Sequence, residues 1–171
     1  MRSRLGKTLW AAMCIALIAP SITAQEVEPT PADAHQQLIT TNPFGPIFEW
    51  YNVEYERKIR HNASIGFTAS YITPGNDSLG TANAIFRFYP KGTAFKGFYV
   101  GGRTGAYRVN DFDDNGTFFG AGLELGYTWL MGARQNWYVG LGIGFTRIFG
   151  GDLDGSAVIP QLRLINFGYS F

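Results

Sequence analysis

The chain has 171 residues and a formal charge of +1 at pH 7, with 46% hydrophobic and 16% aromatic residues and 22 glycines. A near-neutral balance without a basic stripe argues against nucleic acid as a partner. Charged residues make up only 16%, few for a domain wetted on every side.

Residues 1–24, MRSRLGKTLWAAMCIALIAPSITA, begin with Arg2, Arg4 and Lys7 and continue with an apolar run from Leu9 to Ala19. That layout predicts a secretory signal peptide cleaved after Ala24. The run is well short of the ~20 residues that span a bilayer as a helix. Cys14, the single cysteine, interrupts the run instead of following it, which argues against a lipid attachment site. Its removal would leave no thiol for disulfides, thiolate catalysis or metal binding, and would take three of the 14 basic residues and none of the 13 acidic ones. Residues 25–37 are polar, hold two prolines and lack periodicity, so a flexible lead-in is expected. Residues 38–171 suffice for a single domain.

From Leu38 onward the chain alternates with period two. A first, weak segment covers Leu38 to Phe44. Then Tyr51, Val53 and Tyr55 oppose Asn52, Glu54 and Glu56, and Ile65, Phe67, Ala69 and Tyr71 oppose Ser64, Gly66, Thr68 and Ser70. Ala84, Phe86 and Phe88 oppose Asn83, Arg87 and Tyr89; Phe98 and Val100 oppose Tyr99, Gly101, Arg103 and Gly105. The longest segment, GTFFGAGLELGYTWLM, places Phe119, Leu123, Leu125, Tyr127 and Trp129 on one face and Gly120, Gly122, Glu124, Gly126 and Thr128 on the other. Val139, Leu141, Ile143 and Phe145 form a seventh ladder. INFGYSF ends the chain with Ile165, Phe167, Tyr169 and Phe171.

Alternation by itself also fits a soluble sheet with one wet face. The apolar faces, however, are long and aromatic at their ends, while the opposite faces mix glycine with a few charges. That is the pattern of an eight-stranded antiparallel up-and-down transmembrane β-barrel, apolar towards lipid and polar towards a narrow lumen. Segments of about ten residues match the ~9–11 required of a tilted spanning strand. With both termini in the periplasm, the turns at 60–62, 91–97 and 132–136 carry Arg60, Lys91, Lys96 and Arg134 and no acid. The outer loops at 74–80, 110–116 and 150–156 carry Asp77, Asp111, Asp113, Asp114, Asp152 and Asp154 and no Lys or Arg. A closed barrel has no free edge, so the last segment must pair with the first, and its aromatic ladder is buried against acyl chains.

The stretches TTNPFG, YNVEYERKI, FYVGGRTGAYR, FFGAGLELGYTW, WYVGLGIGF and IPQLRLINFGYSF resemble a family of small, functionally uncharacterised outer-membrane barrels catalogued as a domain of unknown function. The family stands near the OmpA/OmpX-like eight-stranded barrels, and the resemblance covers roughly Leu38 to Phe171. It implies location in the bacterial outer membrane and carries no established activity. The terminal Phe167, Tyr169 and Phe171 resemble the signal read by the outer-membrane assembly machinery during biogenesis. Arg163 departs from that ladder, which would favour an apolar residue.

Four candidate sites follow. Glu54, Glu56, Arg87, Arg103 and Glu124 share the inward phase, and an eight-stranded barrel is just wide enough for side chains to fill it, so a lumen plug of ion pairs is expected ahead of an ion path. Arg108, Arg147 and Arg163 count into the lipid-facing phase near the outer rim, where guanidinium forks suit lipopolysaccharide phosphates. Snorkelling, or a bulge that turns one of them inward, is the alternative. The segment from Asp111 to Gly116 matches half of a calcium-loop pattern, but Gly122 stands where the pattern needs Glu, so no metal or cofactor is expected. A lipid A-modifying barrel enzyme would need a base at the outer rim. His35 lies in the lead-in and His61, three residues before Ser64, in a periplasmic turn. The expectation is therefore a small closed barrel of structural or interaction type, not an enzyme, contacting outer-membrane lipid and lipopolysaccharide. A lipid-modifying enzyme or a narrow pore is the alternative.

Overall fold

The computed structural model describes residues 31–73, 75, 77–110, 115–150 and 157–171. The signal peptide expected at 1–24 lies outside them. Eight strands follow in order: β1 Gln37–Thr41, β2 Trp50–Arg60, β3 Ala63–Ile72, β4 Ser78–Phe88, β5 Gly97–Asn110, β6 Asn115–Met131, β7 Trp137–Phe149 and β8 Ala157–Ser170. Each pairs antiparallel with the next, and β1 pairs with β8, so the sheet closes into a barrel.

The alternation read from the sequence sorts side chains as a barrel wall requires. On β6, Phe119, Leu123, Leu125, Tyr127 and Trp129 are exposed on the outer face, while Glu124 and Thr128 are buried inside. Phe119 and Trp129 are ten residues apart, which at ~3.3 Å per residue and a ~40° tilt makes an apolar band about 25 Å tall. Aromatic side chains gather near one edge of that band, where Trp137 stacks on Phe167 at 5.3 Å and meets Tyr169 edge-on at 5.4 Å.

The first strand is shorter than the 38–44 expected, and its chemistry explains why. Pro43 has no N–H to continue a ladder. Asn42 instead makes a turn: its Oδ1 accepts from the Phe44 amide at 2.9 Å, and its own amide donates to Asn52 Oδ1 at 2.8 Å. A 3-10 turn, Gly45–Phe48, then packs back on β2. The barrel end that carries residues 42–49 is called the loop end, and the opposite one the turn end.

The turn end is sealed. Residues 93–96 fold inward: the Ala94 amide donates to His61 O at 2.6 Å, and Thr128 Oγ1 donates to Phe95 O at 2.9 Å. Phe95 holds a left-handed φ of 74° so that its ring fills the mouth, packed with Leu38, Tyr89, Tyr99, Leu130 and Tyr138. The described part of the expected flexible lead-in is tied down as well. A helical turn, Pro31–Ala34, buries Ala32 in that cluster, His35 Nε2 lies 2.9 Å from Arg134 O, and the amides of Gln36 and Gln37 donate to Phe171 O.

One irregularity changes the outcome of the sequence reading. Gly140 faces Asn166, but Gly142 faces Arg163, so β8 carries one residue more than β7 over this stretch. Leu164 and Ile165 both point outward as a β-bulge, and the two halves of β8 are out of phase with one another.

Candidate functional site

The barrel interior holds six charged side chains in one network. Arg87, from the C-terminal end of β4, sits at its centre with no solvent exposure. Its Nη1 donates to Glu54 Oε1 at 2.8 Å and to Glu56 Oε1, its Nη2 to Glu54 Oε2 at 3.0 Å, and its Nε to Glu124 Oε1 at 2.5 Å. Arg103 Nη2 donates to Glu124 Oε2 at 2.8 Å, and Arg163 Nη2 to Glu54 Oε1 at 2.5 Å. Ser64 Oγ donates to Glu56 Oε2 at 2.6 Å. Three carboxylates thus meet three guanidiniums, which offsets the several kcal/mol that each buried ion would otherwise cost. Tyrosine rings flank the network: Arg87 lies 4.9 Å over Tyr99 and Arg163 5.5 Å over Tyr138.

These large side chains fit because the facing positions are glycine. A Cβ on Gly101 would stand 2.8 Å from Glu124 Cγ, and one on Gly142 would stand 2.6 Å from the Tyr99 hydroxyl. Glycine in this barrel therefore makes room for a charged and aromatic filling.

Glu54, Glu56, Arg87, Arg103 and Glu124, placed in the lumen by phase, are brought together. The trio Arg108, Arg147 and Arg163 is not. Arg163 is turned inward by the bulge, and this corrects its assignment to the lipid face. Arg108 and Arg147 remain on the outer face, opposite Thr117 and Ala121. Those partners lie four residues apart on β6, about 13 Å along the strand, so the two guanidiniums form no cluster. The phase switch was visible in PQLRLINF, where apolar residues fall on even positions from Pro160 to Leu164 and on odd ones from Ile165.

Above the network, towards the loop end, the interior opens into a cavity of about 290 Å3. Trp50 and Asn52 of β2, Ser70 of β3, Arg103 of β5, and Gln161 and Arg163 of β8 contribute to its wall. Sequence reasoning placed none of these as a cavity, because phase assigns a face and not a level along the axis. Within the walls, Trp50 Nε1, Arg103 Nε, Gln161 Oε1, and Nε and Nη1 of Arg163 have no hydrogen-bond partner among the described residues.

The remaining candidates are placed elsewhere. The Ser64 hydroxyl is committed to Glu56, while His61 Nε2 lies 3.5 Å from Thr93 Oγ1 at the turn end. The half calcium pattern lies outside the described residues except for Asn115 and Gly116. Phe171 directly follows β8, with its amide donating to Gln37 O at 2.9 Å and its ring exposed on the outer face, in line with Phe167 and Tyr169.

A closed barrel of eight antiparallel strands, apolar outside and ion-paired inside, defines a class: the small outer-membrane-type barrel. More narrowly, the chain belongs to the family described as protein of unknown function (DUF3575), which matches residues 12–150. Among solved structures it is similar to the N-terminal β-barrel domain of Pseudomonas aeruginosa OprF, at 15% identity and a TM-score of 0.47, over 80% of this chain and 98% of that one. It is also similar to the Yersinia pestis outer membrane protein Ail, at 10% identity and a TM-score of 0.47, over 80% of this chain and 99% of that one. No curated protein matches it.

Proposed function

We propose that this chain is a bacterial outer-membrane barrel that spans the bilayer, does not conduct, and serves a structural or interaction role. The observation that carries the reading is the division of its side chains: the outer face is apolar around the wall, while six charges are turned inward and paired with one another. An exposed apolar surface of this extent is untenable in water, and a closed sheet is the form in which strands cross a membrane. Expressed with its own leader, the protein should fractionate with outer membranes, resist carbonate extraction, and migrate differently on gels before and after boiling. Release by carbonate would overturn the reading.

The lipopolysaccharide contact rests on Arg108 and Arg147 alone. Both lie on the outer face towards the loop end, where a lipid-facing arginine costs ~0–1 kcal/mol and can grip phosphate oxygens. Replacing both by Gln should lower the lipopolysaccharide that co-purifies, with the barrel still folded. Unchanged lipid content would leave only snorkelling. Phe167, Tyr169 and Phe171 are proposed as the signal through which the assembly machinery receives the chain.

A further inference from the structure

β1 is the short member of the barrel. It ends at Thr41, opposite Phe167, so β8 from Ala157 to Asn166 has no β1 partner among the described residues. On the other side of the gap, β2 pairs with β1 as far as Glu54. Beyond it β2 stays paired with β3 to Trp50, and residues 41–48 lie against its free edge: Thr41 Oγ1 donates to Asn52 O at 2.6 Å, the Asn42 amide donates to Asn52 Oδ1 at 2.8 Å, and the 3-10 turn packs on β2. Among the described residues the loop-end half of β8 therefore faces the irregular segment 42–48 instead of a paired strand. The Arg163–Glu54 ion pair crosses from β8 to β2 where β1 gives out, and forms the floor of this seam.

The edge of β8 is built to stay unpaired. The Ser170 amide donates to Asn136 on the β7 side. Alternation through the bulge then points residues 163, 161 and 159 towards β7 and residues 164, 162 and 160 towards the seam. Position 160 is proline, which has no N–H to offer an added strand. The lips of the seam are apolar: Leu162 and Leu164 are exposed on β8, and Phe44, Ile47 and Phe48 on the segment leading to β2. Immediately inside lies the 290 Å3 cavity, with unpartnered N–H groups on Trp50, Arg103 and Arg163.

We infer that this seam and cavity form a binding site for a single-chain phospholipid, its head group in the cavity and its acyl chain passing between β8 and residues 42–48 into the bilayer. The inference rests on the membrane reading above. The orphan donors call for acceptor oxygens, which a phosphodiester supplies in number. The network beneath is charge-balanced, so a head of zero net charge enters without leaving an excess. A cavity of this size lies at the lower end of the range for ligand pockets: it takes a head group and excludes a whole lipid. A seam no wider than the one strand that β1 fails to supply admits one chain more readily than two. Pro160 and the apolar lips favour an acyl chain over a protein strand as the occupant.

The test uses the purified barrel folded in detergent, with lysophosphatidylethanolamine and its chain-free head, glycerophosphoethanolamine, as probes and native mass spectrometry to count adducts. Ser70→Phe fills the cavity from β3 without altering a charge. Trp50→Phe removes one orphan donor and keeps the ring. The wild-type barrel should retain one lysolipid and bind the chain-free head at least tenfold more weakly. Ser70→Phe should weaken lysolipid retention at least tenfold, and Trp50→Phe about threefold, both barrels remaining heat-modifiable. Equal retention by folded Ser70→Phe would place the lipid on the outer belt and overturn the site. Equal affinity for the chain-free head would overturn the seam, since a free polar ligand could enter from the loop end. A lipid-free dimer would assign the edge to a second copy of the chain, which also overturns the inference. A heat-modifiable, carbonate-resistant barrel that retains no lysolipid would defeat this inference while leaving the membrane reading intact.

Discussion

Glu54 accepts from Arg87 through both carboxylate oxygens and from Arg163 through Oε1. Removing one partner of a buried ion pair leaves the other uncompensated, at a cost of about 3–5 kcal/mol. Arg163→Gln and Glu54→Gln should each lower stability by that order in urea unfolding from lipid vesicles. The double variant should lose less than the sum, with a coupling energy within the ~0.5–3 kcal/mol typical of touching residues. Arg108→Gln, which alters an exposed guanidinium 3.4 Å from Asn110 Oδ1, should stay within ~0.5 kcal/mol of wild type. An Arg163→Gln variant as stable as Arg108→Gln would mean that the interior is wet enough to solvate Glu54.

Strand β8 does two separate jobs, and two variants separate them. Its bulge at Leu164 and Ile165 keeps Arg163 inside while Phe167, Tyr169 and Phe171 point out. Deleting Ile165 would put either Arg163 or the terminal ladder on the wrong face, and no heat-modifiable barrel should form. Ile165→Ala, which keeps the bulge, should still fold; a folded deletion variant would show that β8 can slip its register against β7. The terminal residue is tested against an internal one. Phe171→Asp and Phe149→Asp each forfeit apolar area worth roughly 1.5–3 kcal/mol, so folding into detergent should suffer modestly and alike. Phe171 directly follows the strand that closes the barrel and belongs to the proposed assembly signal. The amount of barrel in outer membranes should therefore collapse for Phe171→Asp and not for Phe149→Asp. Equal membrane levels would reduce the ladder to lipid-facing surface.

At the scale of the whole molecule, the interior is stopped twice: by Phe95 and its neighbours at the turn end, and by the six charges at mid-height. The protein reconstituted in planar bilayers should show no stable conductance, and Glu124→Gln should not create one. Although that substitution weakens the partners of Arg87 and Arg103, the aromatic stop below is untouched. A steady current sensitive to Glu124 would mean that ions find a path past both stops. The loop-end cavity is blind on this account, open to a ligand and closed to through-flow.

How much of this was legible follows from what period two encodes. Alternation assigns each residue to one of two faces, so the eight strands, the apolar belt and the inward set of Glu54, Glu56, Arg87, Arg103 and Glu124 could be read without coordinates. It carries no axial position, so that Trp50, Ser70, Arg103 and Gln161 surround one cavity was decided only when register fixed their heights. It also fails across an inserted residue, so alternation alone puts Arg163 on the outer face, whereas the pairing of β7 with β8 puts it inside. The missing upper half of β1 lay between the two: the breakers at Asn42-Pro43 and Gly45-Pro46 were visible, but a strand ending early opens a wall only relative to neighbours that run on. Local chemistry along the chain therefore determined the class of the protein. The bulge, the ion-paired floor and the open seam are relations between strands distant in sequence, and only the closed barrel could set them.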